Sequence, residues 1–167
     1  MRPQDHPPAP LADASAFRFA VIVSRFNETV TASLRDAATA ALKEAGAAAV
    51  QVLEVPGAFE IPQAARAAAE TGRFDALVCL GCIIRGETPH FDYIASAVAH
   101  GITDAAGDTG IPMAFGVLTT DTVEQAAARS GPGPDNKGRE AAAAAIEMAV
   151  LHRAISGPPN RSSGFRA

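Results

Sequence analysis

Short apolar runs alternate with helical patterns along nearly the whole chain, and that alternation restricts the fold more than any other feature. The runs are Phe17–Val23, Val50–Val55, Ala76–Leu80 and Ile111–Leu118. Each is brief and closed by turn-forming or polar residues, as buried strands are. Helix spacing of apolar residues fills the gaps: about Val30–Ala45, about Pro62–Glu70, and from Pro89 until the pattern fades at Gly107. Thr122–Arg129 reads as a short helix, and a last helix runs from Asn136-Lys137 to about Ala154. Gly46 fits the residue just past the first helix, where a left-handed backbone is common. A β-α-β-α-β-α-β-α-α order predicts an α/β fold in three layers, a four-stranded parallel sheet with helices on both faces. One domain is expected over residues 16–155, between a mobile Pro- and Ala-rich tail at 1–15 and a polar tail at 156–167.

The chain is 167 residues, 48% hydrophobic, with a formal net charge of −4. That length buries a real core, and the absence of a basic run argues against a nucleic-acid groove. Arg, Asp, Glu or Gly interrupts every apolar stretch before membrane-spanning length. The start, Met1 to Pro8, lacks the apolar centre of a signal peptide, so a cytoplasmic protein is expected. Cys79 and Cys82 form a C-x-x-C. Within a strand and its end, residues three apart point to opposite faces, which suits neither a redox pair nor a metal site. They read as small buried residues.

The residues with chemical potential collect just after the strands: Ser24–Asn27, Pro56–Glu60, Cys82–His90 and Phe115–Asp121. In open α/β sheets the carboxyl ends of the strands form the ligand rim. In the third cluster Thr88 takes the place of an N-cap and Pro89 that of the first helical residue. The segment then reads as strand, glycine-bearing turn and helix start, whose backbone N–H groups favour an anion. His90 stands at its lip, an imidazole suited to proton transfer.

Other members of the rim admit two readings each. Phe26 is either a flat platform for an aromatic ring or a residue packed under the first helix. Gly57 and Ala58 allow close approach to the backbone, and Glu60 either accepts hydrogen bonds from hydroxyls or complements a helix start. Phe115 reads as core or as part of the rim. Arg129 and Lys137 frame a Gly-Pro loop and could clamp a phosphate, or Arg129 could simply complement its helix C-terminus. The last helix is apolar around much of its circumference, so it needs cover from a second subunit.

Five segments in order resemble the 6,7-dimethyl-8-ribityllumazine synthase family over about Phe17 to Arg153: Ser24–Asn27, Val55–Pro62, Ile84–Tyr93, Phe115–Thr122 and Asn136–Gly138. The resemblance implies a flavodoxin-like, homo-oligomeric protein and a transferase of riboflavin biosynthesis. It would condense 5-amino-6-ribitylaminouracil with 3,4-dihydroxy-2-butanone 4-phosphate, releasing phosphate and water, with neither cofactor nor metal. Carried over by position, Phe26 stacks on the pyrimidine, and Ala58, Phe59 and Glu60 hold the ribityl chain. Ile83 and Ile84 present backbone groups to the pyrimidine, while Glu87 and Thr88 offer amides to the phosphate. Arg129 binds that phosphate from a neighbouring subunit, Phe115 and Lys137 complete the pocket from that neighbour, and His90 transfers protons. Family members form pentamers, and some build icosahedral shells from them; no obvious insertion in the loop closes that route here. Asp135 departs from the glycine often found before Asn-Lys-Gly. Two rivals are a flavodoxin-like flavin or pyrimidine binder without turnover and a shell-forming paralogue with a vestigial pocket.

Overall fold

A computed structural model describes residues 9–157, so the parts of the expected tails at 1–8 and 158–167 lie outside the described residues. Four strands, β1 (Arg18–Ser24), β2 (Ala49–Val55), β3 (Ala76–Ile84) and β4 (Met113–Thr120), form one sheet in the order β2-β1-β3-β4. All three pairings are parallel. Among the described residues five α-helices accompany them: α1 (Glu28–Glu44), α2 (Ile61–Glu70), α3 (His90–Thr109), α4 (Val123–Arg129) and α5 (Lys137–Ser156). A 3₁₀ turn, Ala58–Glu60, precedes α2. The expected three-layer α/β architecture is present.

Alternation along β1 and β3 divides the core. Phe19, Val21, Val23, Val78, Leu80 and Cys82 face α1 and α5. Ala20, Ile22, Leu77, Cys79 and Ile83 face α2 and α3. The two central strands are buried on both faces, which is why they read as unbroken apolar runs. Edge strand β2 leaves Gln51, Val52 and Glu54 exposed. Cys79 and Cys82 lie on opposite faces, both buried.

Two boundaries differ from the sequence reading. Strand β3 continues four residues past Leu80 to Ile84, and Gly81 belongs to it, opposite Val117. A Cβ at Gly81 would lie 3.0 Å from Ile61 Cδ1 and 3.2 Å from Ser24 Oγ, so this glycine serves close packing inside the sheet rather than a turn. The expected tail boundary at residue 15 falls inside a contact: Ala14 is buried and its N–H donates to Ala45 O at 2.9 Å. Small apolar residues there dock against the open end of α1, with Leu11 and Ala12 packed alongside.

The close approach of α5 to α1 depends on one residue. A Cβ on Gly138 would fall 2.0 Å from Leu34 O and 2.8 Å from Leu34 Cα, so only glycine lets the two backbones meet there. Asn136 starts α5 by capping, its Oδ1 accepting the Gly138 N–H at 2.8 Å.

Candidate functional site

The loops that leave β1, β2 and β3 converge on a cavity of about 350 Å³. From the first loop come Phe26 and Asn27, and from the second Gly57, Ala58 and Phe59. Cys82, Ile83 and Ile84 form its wall at the end of β3; Gly86, Thr88, His90, Phe91 and Ile94 close the far side. Phe26 and Phe59 are 71% and 59% exposed, so neither packs as core. An exposed aromatic pair flanking an apolar cleft at the sheet's carboxyl rim fits a ligand surface better than a folding role.

Asn27 shapes the first loop. It is the one non-glycine with positive φ among the described residues, at φ 60° and ψ 50°. Asparagine tolerates that conformation better than most residues. Its Nδ2 donates to Cys82 O at 2.9 Å, tying the β1 loop to the end of β3. The neighbouring Phe26 N–H donates to Pro56 O at 3.2 Å. Three loops are thereby pinned to one another beneath the Phe26 ring. The sequence reading gave Asn27 no role; an Asn directly before a helix start was the available signal.

The start of α3 differs from expectation in a way that matters. Thr88 does not cap the helix: the residue before His90 is Pro89, and no side chain bonds to the first turn. Among the described residues, the N–H groups of Gly86, Glu87, Thr88 and His90 have no protein acceptor. Uncapped amides at the start of a long helix are free to meet an anion. The Glu87 side chain does not line the cavity.

Glu60 turns its carboxylate to its own loop, with Oε2 accepting the Gly57 N–H at 2.9 Å. It does not line the cavity, so the helix-start reading describes this geometry. Phe115 is not at the carboxyl rim. It sits opposite Cys79, five residues before the end of β4, about 17 Å along the strand at the usual rise. Phe115 is 48% exposed there. Arg129, exposed at the end of α4, donates through Nη1 to Gln125 O at 2.9 Å. Lys137, at the start of α5, pairs with Glu140 one turn on. Neither cation lines the cavity of its own chain. Phe26, Ala58, Phe59, Ile83, Ile84, Thr88 and His90 are therefore gathered in one chain; Glu60 and Glu87 stand beside them, and Phe115, Arg129 and Lys137 face elsewhere.

Cys82 lines the cavity wall, and Cys79 lies on the other face of the sheet; both are chemically quiet. Burial pushes the Cys82 thiol up to about 11 and the Cys79 thiol to about 12, so both stay protonated near neutrality.

Comparison with known proteins decides the family. The family model for 6,7-dimethyl-8-ribityllumazine synthase matches residues 16–153. The chain belongs to the 6,7-dimethyl-8-ribityllumazine synthase family. The 6,7-dimethyl-8-ribityllumazine synthase of Salinibacter ruber is 53% identical over 142 residues, covering 84% of this chain and 91% of the relative. That of Syntrophus aciditrophicus is 51% identical over 144 residues, covering 85% and 94%. A solved GDP-L-fucose synthetase from Naegleria fowleri bound to NADP aligns with 93% of this chain and 49% of its own, at 14% identity and a TM-score of 0.42, too distant to carry an argument. The activity expected from the five motifs is met: a transferase of riboflavin biosynthesis that forms 6,7-dimethyl-8-ribityllumazine. Among the described residues no helix is long and apolar enough to cross a membrane.

Within the lumazine synthase family frame, the sequence reading passed over a second group beside the cavity. Arg85 donates through Nε to Asp121 Oδ1 at 2.9 Å and through Nη1 and Nη2 to the two Asp92 oxygens at 3.3 Å each. Its guanidinium lies 4.2 Å from the centroid of the Phe91 ring. These bonds, that to Asp121 first, hold the Arg85 pKa above its ordinary value. Opposite charges spaced Arg-x6-Asp across a loop carried little signal in one dimension.

Proposed function

We propose that the cavity at the ends of β1, β2 and β3 is where 5-amino-6-ribitylaminouracil meets 3,4-dihydroxy-2-butanone 4-phosphate. The observation that carries this reading is the joint placement of Phe26, Phe59 and His90 around one apolar cleft. The pyrimidine lies against Phe26, with backbone groups of Ile83 and Ile84 reading its edge. The ribityl chain runs over Ala58 and Phe59, held in part by Glu60, whose second carboxylate oxygen is left for hydroxyls. The phosphate sits on the unbonded amides around Glu87 and Thr88, where backbone dipoles favour negative charge.

The ribityl-bearing substrate's amine attacks the ketone and loses water to give an imine. Phosphate then leaves, and a second attack closes the ring with loss of another water. Each step moves a proton, and His90 at the lip of the cradle takes and returns it. Holding both substrates in one cleft contributes more than proton transfer alone.

One chain supplies only part of this site. Arg129, Phe115 and Lys137 act in the cavity of a neighbouring subunit, and their positions outside their own cavity support that arrangement. Met148, Leu151 and Ile155 on α5 are 47%, 49% and 76% exposed, an apolar strip that a neighbour would cover. The subunits form a cytoplasmic pentamer, and residues 16–155 act as a single domain onto which the segment around Ala14 docks.

Mixing the two substrates with the protein and following the absorbance and fluorescence of the lumazine tests the reading, with light scattering to size the particle. Product formation by a pentamer or a multiple of it is expected, with activity lost on dilution to monomers. Binding of the pyrimidine without turnover, or full activity of a monomer, overturns it.

A further inference from the structure

Arg85 links two pieces of the protein that no backbone hydrogen bond among the described residues joins directly. One is the first turn of α3, which carries His90 and, through Asp92 and Phe91, two of the contacts of the guanidinium. The other is the loop from β4 into α4. Arg85 holds the end of β4, its N–H donating to Thr120 O at 2.9 Å, and the loop itself through Nε to Asp121. Asp121 N–H in turn donates to Gln125 Oε1 at 2.8 Å. Gln125 N–H donates to the capping Thr122 Oγ1 at 3.1 Å, and Gln125 O accepts from Arg129 Nη1 at 2.9 Å. An unbroken chain of hydrogen bonds thus runs Asp92, Arg85, Asp121, Gln125, Arg129.

An exposed ion pair alone contributes little. This one differs in geometry: a planar fork meets three carboxylate oxygens, two from the first turn of α3 and one from the loop after β4, and stacks on Phe91, which itself lines the cavity. A lysine has neither the fork nor the flat face. Arg85 also offsets the charge of two carboxylates close to where an anion must bind.

We propose that Arg85 is a positioning residue that keeps the α3 first turn and α4 in fixed relation, and thereby sets affinity for the phosphorylated substrate. This rests on the roles given above to His90 and Arg129. Because Arg129 serves the neighbour's cavity, Arg85 also ties the cradle of one site to the clamp of the next.

The test is steady-state kinetics on the full-length oligomer with Arg85→Met, Arg85→Lys, Asp121→Asn, Arg129→Met and the double variant Arg85→Met/Arg129→Met. Arg85→Met should raise KM for the four-carbon phosphate on the order of tenfold, as expected for a misplaced clamp, and leave KM for the pyrimidine nearly unchanged. Asp121→Asn should move the same constant in the same direction, and Arg85→Lys should not restore it. In the Arg129→Met background the Arg85→Met penalty should shrink to under about twofold, since coupled residues are not additive. Full additivity there, full rescue by lysine, or a loss spread equally over both substrates overturns the proposal. If Arg129→Met raises the phosphate KM and the Arg85 and Asp121 variants do not, only the positioning role falls. If Arg129→Met leaves that constant unchanged, the phosphate reading falls and takes the positioning role with it.

Discussion

Replacing Gly138 by alanine puts the contact between α1 and α5 to a direct test. The new Cβ would meet Leu34 O at 2.0 Å, short of ordinary contact by more than an ångström, and Leu34 C and Cα at 2.7 and 2.8 Å. These obstacles are backbone in the middle of a helix, so they cannot rotate away as a side chain would. The start of α5 must lift from α1, which stretches the bond from Gly138 N–H to Asn136 Oδ1. Overpacking costs about 1–3 kcal/mol, and a clash with backbone belongs at the upper end. Helix propensity returns at most about 1 kcal/mol. The expected net loss is about 2 kcal/mol, or about 4–8 °C in Tm for a domain of this size. Lys137 precedes the clash and moves with it, so kcat/KM should fall as well, by as much as about a hundredfold for a 1 Å displacement. Thermal unfolding at matched protomer concentration, together with the lumazine assay, reads both quantities. Gly107, which a Cβ would leave with nothing within 4 Å, supplies the control: Gly107→Ala in α3 should gain about 0.5–1 kcal/mol. A Gly138→Ala protein as stable and active as its parent would refute the close-approach argument.

The remaining predictions concern chemistry. His90→Ala should slow turnover by roughly a hundred- to ten-thousand-fold without abolishing it, the usual range for a general acid–base group; unchanged turnover under saturating substrates removes its catalytic role. Arg129→Ala should be at least as damaging, with its loss centred on the phosphorylated substrate in the same assay. Cys82 should resist iodoacetamide at pH 8, because a thiol near 11 rather than 9 carries about a hundredfold less thiolate; mass spectrometry showing labelling at the rate of a free thiol contradicts this. The same shift has a stability consequence with a definite sign. The folded thiols hold their protons up to about 11 and 12, whereas the unfolded ones lose theirs near 9. Their contribution is therefore complete below pH 9 and declines as pH rises through 11–12.

Element order was legible because β1 and β3 are buried on both faces and display continuous apolar runs, while the helices show one wet side. Positions along the elements were harder to read. The third apolar run ends at Leu80 in sequence because a glycine follows it; what suits Gly81 to β3 is the close approach of Ile61 and Ser24, contacts from elsewhere in the chain. Phe115 reads in sequence as core or as rim, and it is neither: it opens a motif that ends at the rim, but lies well back along β4 and half exposed. The cluster after β3 reads in sequence as an anion cradle with a capped helix start, and the structure leaves that start uncapped. Thr88 was given the cap, and it is the lack of any cap that leaves the amides unbonded.

That uncapped start also explains why a charged network surrounds it. A helix end without side-chain partners loses local order unless another device fixes its direction. The first turn of α3 has its acidic Asp92 held by Arg85 from outside the helix. Direction is thus set at the third residue of the helix, and the first amides remain unoccupied. A Ser or Asp cap with a side chain on those amides would stabilise α3 by about 1 kcal/mol, and it would occupy the donors assigned to phosphate in the proposed function. The fold gives up that local stability at the start of α3, beside the cavity, while the start of α5, away from it, is capped by Asn136. This difference between two helix starts in one chain follows if binding an anion, rather than folding, determined the residues around His90.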